Sequence, residues 1–389
     1  MQFFQQKLTH SILANPKYFL EIFMKRRTFL KGATIVGTAF SITPNIVFAQ
    51  NKVDVFGIGE SKRAFSVENS FELELNNEVA QLWIPLPFDS SYQKVAKLSY
   101  SGDFDEAFIS NDNPYNTKLL YAKWNKDSKS RKLNLKFDVV TRSRVVNLTN
   151  ANANQNYSDE VKEFLKGTAH TPLSPKIKEL ADEITKGKKA PLDKARAIYD
   201  WTIKTMHRDE SVIGCGVGDA TRIIEEKYFG GKCTDISSVF VALLRNAGIP
   251  AREIFGIRLG QSKISDACGK ADEKGFANIT GGQHCRAEFF ITGAGWVAAD
   301  PADVTKVKLA EKLENTDKKW KDTAEYLFGN WEMNWIGFNW ARDFVLSPKP
   351  AQFPLNMLGY PYGEMGEDAL NYYVPKEFKY TYTSQENKI

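Results

Sequence analysis

Cysteine and histidine are both scarce in this chain of 389 residues, at four of each, and neither shows the paired spacing of a zinc site. No glycine loop with phosphate-binding spacing occurs, which leaves nucleotide chemistry without a foothold. After residue 50 no apolar run reaches the roughly 18 residues a membrane-spanning helix needs. A basic excess is also missing where it would count. The chain carries 52 Lys and Arg against 47 Asp and Glu, but six of the cations and only one acid fall within residues 1–49, so the remainder holds 46 of each sign. A balanced body does not favour nucleic acid or an anionic membrane as partner. What is present is ordinary: 42% hydrophobic and 25% charged residues, which excludes disorder and collagen-like repetition.

The basic segment has three parts. Lys25, Arg26, Arg27 and Lys31 form a charged head, Gly32 to Phe40 a moderately apolar centre, and Val47-Phe48-Ala49 a small-x-small cleavage pattern. The paired arginines followed by Phe29-Leu30-Lys31 resemble a twin-arginine export signal. We expect translation from Met24, cleavage after Ala49, and a periplasmic or otherwise exported mature chain without stable membrane insertion.

The remaining length predicts more than one domain. Residues 65–75, 80–87 and 132–141 alternate apolar with polar side chains between Asn, Asp, Gly and Pro clusters, which predicts an antiparallel β-sandwich over 50–150. Helical spacing takes over in 151–310, an α+β region: one helix from Pro175, a second from Pro191 with its stripe at Leu192, Ala195, Ile198 and Tyr199, and a third from Cys233. Gly248 and Pro250 end the third helix. A strand over 252–260 and a hairpin over 284–300 follow. Residues 311–389 read as an aromatic-rich C-terminal extension packed on the other domains.

Gly230-Gly231-Lys232-Cys233 puts a thiol at the first residue of a strongly apolar helix after a flexible loop. Unpaired N–H groups and the positive helix end stabilise a thiolate there, and Lys232 adds positive charge. The backbone N–H groups at this turn, including Gly231 and Lys232, are candidate oxyanion donors. A base for the thiol has a short list of sources, since only His170, His207 and His284 follow the leader. His284 opens an alternating strand whose hairpin partner ends at Asp300. A three-residue turn centred on Gly293 makes Asp300 the diagonal same-face neighbour of His284; a two-residue turn puts them on opposite faces and leaves Asp303 as substitute. Cysteine nucleophile, histidine base and orienting carboxylate are the parts of thiol-mediated acyl transfer.

These residues carry a resemblance. Gly231 to Arg252, with its Ala247-Gly-Ile-Pro-Ala-Arg ending, then Gln283-His-Cys-Arg-Ala-Glu288 and Gly295-Trp-Val-Ala-Ala-Asp-Pro301, resemble the three core motifs of the transglutaminase-like superfamily. The resemblance implies a papain-like α+β cysteine domain with Cys233 as nucleophile, His284 as base and Asp300 as orienting acid, acting on amide bonds of a protein or peptide. Hydrolysis is the default outcome; protein cross-linking and a non-catalytic envelope scaffold are the alternatives. No cofactor and no metal are implied.

Around this centre, Trp201 is a candidate to line the acyl pocket or the oxyanion site. Cys285 alternates away from His284 and reads as a core residue. Cys215 and Cys268 lie in Gly-rich loops and are candidates for a disulfide. Arg286 and Glu288 share the face of His284 and are expected to pair with each other. Loops 208–230 and 261–282 are expected to be flexible pocket walls. Arg245 and Arg252 are structural cations near the end of the cysteine helix, and His207 is a surface or loop residue.

Overall fold

The structure, a computed structural model, describes Phe56, Ile58, Gly59 and residues 61–389 except Ala153 and Glu377. The expected export signal, with its expected cleavage after Ala49, lies outside the described residues.

Six strands come first: β1 (Lys62–Glu72), β2 (Ala80–Pro85), β3 (Gln93–Gly102), β4 (Glu106–Ser110), β5 (Leu119–Trp124) and β6 (Lys132–Arg142). In β6 every second residue, from Leu133 through Leu135 and Phe137 to Val139, is buried while its neighbours are not, because successive side chains of a strand point to opposite faces. β1 pairs antiparallel with β6, setting Phe65 opposite Val139 and Val67 opposite Phe137; β2 pairs with β5, setting Leu82 opposite Ala122. The inward faces of the two sheets share one apolar cluster that includes Phe65, Val67, Leu82, Trp124 and Phe137. This is the antiparallel β-sandwich.

The short strand β7 (Arg144–Val145) leads into helices α1 (Asp159–Lys162), α2 (Pro175–Ile184) and α3 (Pro191–Thr205). Then come β8 (His207–Arg208), α4 (Ala220–Glu226), β9 (Gly230–Gly231), α5 (Cys233–Asn246), β10 (Ala251–Arg258), β11 (Phe276–Asn278), β12 (Gln283–Ile291) and β13 (Gly295–Ala299). Helices α6 (Pro301–Ala310) and α7 (Lys318–Tyr326) follow, and the chain ends with β14 (Asn330–Trp331), β15 (Trp335–Asn339), β16 (Arg342–Phe344), β17 (Leu355–Met357), β18 (Tyr362–Met365), β19 (Asp368–Ala369) and β20 (Tyr380–Asn387).

The α+β region is built on a four-stranded sheet of order β13-β12-β10-β15, with α5 packed on β12 and β10. The spacing of Ile236, Val239, Phe240, Leu243 and Leu244 puts an apolar stripe on α5, as its sequence predicts. The helix is nevertheless buried on all sides, and several of its polar side chains find partners there. Ser238 donates to Glu253 (2.5 Å), Arg245 to the Ala251 carbonyl (2.8 Å) and to Thr171 (2.9 Å), and Asn246 to the Pro172 carbonyl (3.1 Å). Gly248, at φ +82°, supplies the left-handed residue that ends it.

The last segment does more than cover the others. β20 lies along β1, with Glu386 opposite Phe65, and β18 lies along β2, with Tyr362 opposite Trp83. Each sandwich sheet therefore gains a strand from the C-terminal extension, and the described residues form one compact unit. The segment 261–282 is tied to the same place. β11 pairs with β20, and the Gln261 carbonyl accepts from Arg63 (2.7 Å), so this stretch joins the sandwich instead of forming a free flexible wall.

Candidate active site

Cys233 follows β9 directly, and β9 is aligned by parallel pairing with β8. Asp235, in the first turn of α5, organises the surrounding loops. Its carboxylate accepts from the Lys232 N–H (2.9 Å) and from the Gly218 N–H (2.8 Å). A Cβ at Gly216 would fall 1.9 Å from Asp235 Oδ2, and one at Gly231 would fall 2.5 Å from Asp235 Cβ, so both glycines are needed for the carboxylate to fit. Burial raises the pKa of Asp235 against those two bonds. We predict that Asp235→Ala, by leaving two N–H groups unsatisfied, lowers stability by about 1–3 kcal/mol and slows alkylation of Cys233; denaturant melts and thiol labelling check it.

Loop 214–218 brings a second thiol to the same turn. The Thr234 N–H donates to the Cys215 carbonyl (2.9 Å), and the Cys285 thiol donates to Thr234 Oγ1 (3.5 Å). Hydrogen bonds from Cys215 and Cys285, and then a hydrogen bond and the charge of His284, hold the Cys233 thiol well below its usual range despite its burial. Cys215 and Cys285 are both pushed up, Cys215 chiefly by Cys233 and Cys285 chiefly by burial.

The hairpin has the three-residue register: Ala287 faces Ala299 and Ile291 faces Gly295. Continued by one step, this places Asp300 diagonal to His284, and the His284 Nε2 to Asp300 Oδ2 distance is 2.8 Å. Asp300 is also the N-cap of α6, accepting from the Asp303 N–H at Oδ1 (3.0 Å) ahead of Pro301 at the first helical position. One oxygen thus anchors the carboxylate and the other faces the imidazole. With Nε2 engaged, Nδ1 is the ring nitrogen left for the thiol. Burial and the Arg258 charge press the His284 pKa down, but Asp303 and Asp300 outweigh them and the result is raised. A depressed thiol beside a raised imidazole favours a thiolate–imidazolium pair.

Asp303 is not idle. It lies 3.5 Å from His284 Nε2 and takes a two-pronged ion pair from Arg258 (2.5 and 2.9 Å), while Arg286 Nε stands 3.2 Å from Asp300. His284, Asp300 and Asp303 have the donor atoms of a metal site, all within 4.8 Å of one another. Both carboxylates already face guanidinium groups, however, and a cation would have to displace them.

Several sequence expectations need correction. Arg286 and Glu288 do not pair: Glu288 binds Arg144 (2.5 Å) and Arg252 (2.6 Å), whereas Arg286 donates to the Glu332 carbonyl (3.0 Å) and lies over Trp335. All four cysteines are free, with Cys215 at the start of α5 and Cys268 in a short turn where Arg258 and Asn334 hold its carbonyl. Trp201 packs edge-on against Phe229 (5.4 Å) at the margin of the helical core. Lys232 places its ammonium 3.4 Å from Glu210, which draws its charge away from the thiol. Cys285 is buried in the core as expected, yet it also joins the thiol cluster. The sequence reading passed over Arg258, which holds Asp303, and Tyr360, whose hydroxyl donates to Cys215 Sγ (3.1 Å). Arg258 sits on an apolar strand, and Tyr360 comes from the far end of the chain, so neither had a local signal.

A helix-start thiol facing a strand-borne His–Asp pair is the arrangement of a papain-like α+β domain. The chain belongs to the transglutaminase-like superfamily, whose model matches residues 178–301. It is 48% identical over 316 residues to an uncharacterized protein of Haemophilus influenzae, covering 78% of this chain and 86% of that relative. Among solved structures it is similar to a candidate cysteine protease of Cytophaga hutchinsonii (TM-score 0.49, 15% identity, 84% of this chain and 98% of the other). It is also similar to the periplasmic domain of TgpA from Pseudomonas aeruginosa (TM-score 0.33, 15% identity, 66% and 93%). Among the described residues no helix is long and apolar enough to cross a membrane.

Proposed function

We propose that this chain is an exported enzyme that hydrolyses peptide or side-chain amides by thiol-mediated acyl transfer, with Cys233 as nucleophile, His284 as acid and base, and Asp300 holding the imidazole. The observation that carries the reading is the position of His284, bound through Nε2 to Asp300 (2.8 Å) and, after Cys215 and Cys285, a further group that lowers the pKa of Cys233. The Cys233 thiolate adds to the amide carbonyl, and the Cys233 N–H, first in α5, is the donor to the oxyanion, because the Lys232 and Thr234 N–H groups are taken by Asp235 and by the Cys215 carbonyl. Imidazolium then protonates the leaving amine as the C–N bond breaks. Water, losing its proton to the imidazole, cleaves the thioester and frees acid and thiol. A polypeptide substrate suits the charge-balanced body and the exposed Ile213 and Val217 flanking the Cys215 loop. Export rests on the leader, where the excess positive charge is concentrated.

Iodoacetamide labelling resolved by peptide tests the thiolate. Cys233 is expected to react near neutral pH far faster than Cys215, Cys268 or Cys285, and His284→Ala to remove the difference. Equal, slow labelling of all four would overturn the enzyme reading. The pH profile follows from the two shifts. Reactivity falls on the acid side as the depressed Cys233 thiolate takes a proton, below the usual thiol value of about 8.5, and turnover falls on the alkaline side as His284 loses its proton, above the usual value of about 6.5. Glutamine peptides incubated with and without a primary amine, followed by weighing of the products, separate hydrolysis from cross-linking.

A further inference from the structure

One nucleophile needs one thiol, yet three converge at the start of α5 and only Cys268 stands apart. Cys215 is held there by its backbone, through the Thr234 N–H (2.9 Å). Its sulfur accepts from the Tyr360 hydroxyl (3.1 Å) and donates to the Gln283 carbonyl (3.4 Å), beside Cys233. Cys285, on β12, donates to Thr234 Oγ1 (3.5 Å), next in sequence to Cys233. The mechanism above uses neither.

We propose that Cys215 is a resolving thiol, which closes a reversible Cys215–Cys233 disulfide after a peroxide has oxidised Cys233. The inference rests on Cys233 being the reactive thiolate of the proposed function. In the first step the thiolate attacks one peroxide oxygen, the O–O bond breaks, and hydrogen peroxide yields Cys233 sulfenic acid and hydroxide. In the second, the Cys215 sulfur attacks the sulfenic sulfur, the S–O bond breaks, and the Cys215 proton leaves with that oxygen as water. Two thiols are oxidised by two electrons in all, and the peroxide is reduced to the level of water. The bridge blocks the nucleophile and protects it from further, irreversible oxidation.

Two observations select Cys215 over Cys285. The first is position: Cys215 lies in a loop between Gly214 (φ +58°) and Gly216 (φ +85°), outside any helix or strand, whereas Cys285 is bound into the ladder of β12 opposite Phe255. The second is electrostatic. Cys215 is pushed up first of all by the neighbouring Cys233 and only then by burial; the first effect ends when Cys233 becomes a neutral sulfenic acid, and the Tyr360 hydroxyl favours the Cys215 thiolate. Cys285 is pushed up first by burial, which oxidation does not relieve.

The test treats the reduced chain with rising equivalents of hydrogen peroxide, digests it without reductant and maps linked peptides by mass spectrometry. A Cys215–Cys233 peptide is expected, together with loss of iodoacetamide labelling at Cys233 and its full return after dithiothreitol. With Cys285→Ser the same link should form. With Cys215→Ser, Cys233 should pass to sulfinic acid and labelling should not return. A Cys233–Cys285 link, or sulfinic acid at Cys233 of the unsubstituted chain without any link, would overturn the role of Cys215 while leaving the reactive thiolate intact. A Cys233 inert to both peroxide and iodoacetamide would overturn the proposed function and this inference together.

Discussion

Cys233→Ala is expected to lower hydrolysis of a glutamine-containing peptide by roughly 10⁴-fold or more, with a melting temperature close to that of the unsubstituted chain. The side chain is small, and its loss leaves the α5 stripe from Ile236 to Leu244 in place. His284→Ala should cost about as much, because nucleophile and base act as a unit and removing either removes the activated thiolate. Asp300→Asn should be milder, on the order of 10²- to 10⁴-fold, since an amide turns an N–H toward Nε2 and biases the ring to the wrong tautomer. Asp300 also caps α6 and faces Arg286, so this variant should lose stability as well as rate. Asp303→Asn provides the contrast. Its main partner is Arg258, and its effect should appear in the melting temperature more than in turnover. Initial rates and thermal melts of the four variants, measured side by side, separate the roles. A Cys233→Ala chain that still turns over the peptide would remove the mechanism altogether.

How far such a site can be read from sequence depends on how local its contacts are. Cys233 was legible because a Gly-Gly step, a first-turn acid and a three-four apolar spacing lie within 15 residues of one another. Asp300 was legible because a hairpin turns register into arithmetic: once the turn is three residues centred on Gly293, the neighbour of His284 follows. The thiol cluster was not. Cys215 meets Cys233 because the Thr234 N–H holds its carbonyl and Asp235 draws the Gly218 N–H onto α5, and contacts that reach back across 17 or more residues leave no periodic trace. Strand β20 shows the same limit on the scale of the fold. Buried Tyr380 and Tyr382 alternate with Thr381 and Thr383 and mark a strand, but its partner β1 begins more than 300 residues earlier, and alternation says nothing of which edge a strand will join.

The largest expected loss of stability belongs to a residue outside the catalytic centre. Glu288, 2% exposed, receives Arg144 and Arg252 on its two oxygens at 2.5 and 2.6 Å. Arg144 comes from β7, just beyond the sandwich, and lies over Trp331 and Tyr92 at 4.3 and 4.8 Å. Arg252 opens β10 and lies over Trp296, Trp340 and Phe164 at 4.1 to 4.6 Å. Burial alone would raise the Glu288 carboxyl, but the two arginines overcome it and its pKa is lowered. The carboxylate therefore adds stability above its unfolded pKa of about 4.3 and loses that contribution as pH falls through the lower folded value. Glu288→Ala leaves two guanidinium groups enclosed by aromatic rings with no counter-charge, a change that costs about 3–5 kcal/mol and should lower the melting temperature by on the order of 10 °C. Glu288→Gln keeps the shape and removes only the charge, so it should fall nearly as far. Above the unfolded value of about 4.3 the unsubstituted chain should keep its advantage over both variants, and as pH falls further below it the gap should narrow. A gap that stays constant through that range would mean the charge of Glu288 contributes nothing, and that the join between β7, β10 and β12 is held by aromatic packing alone.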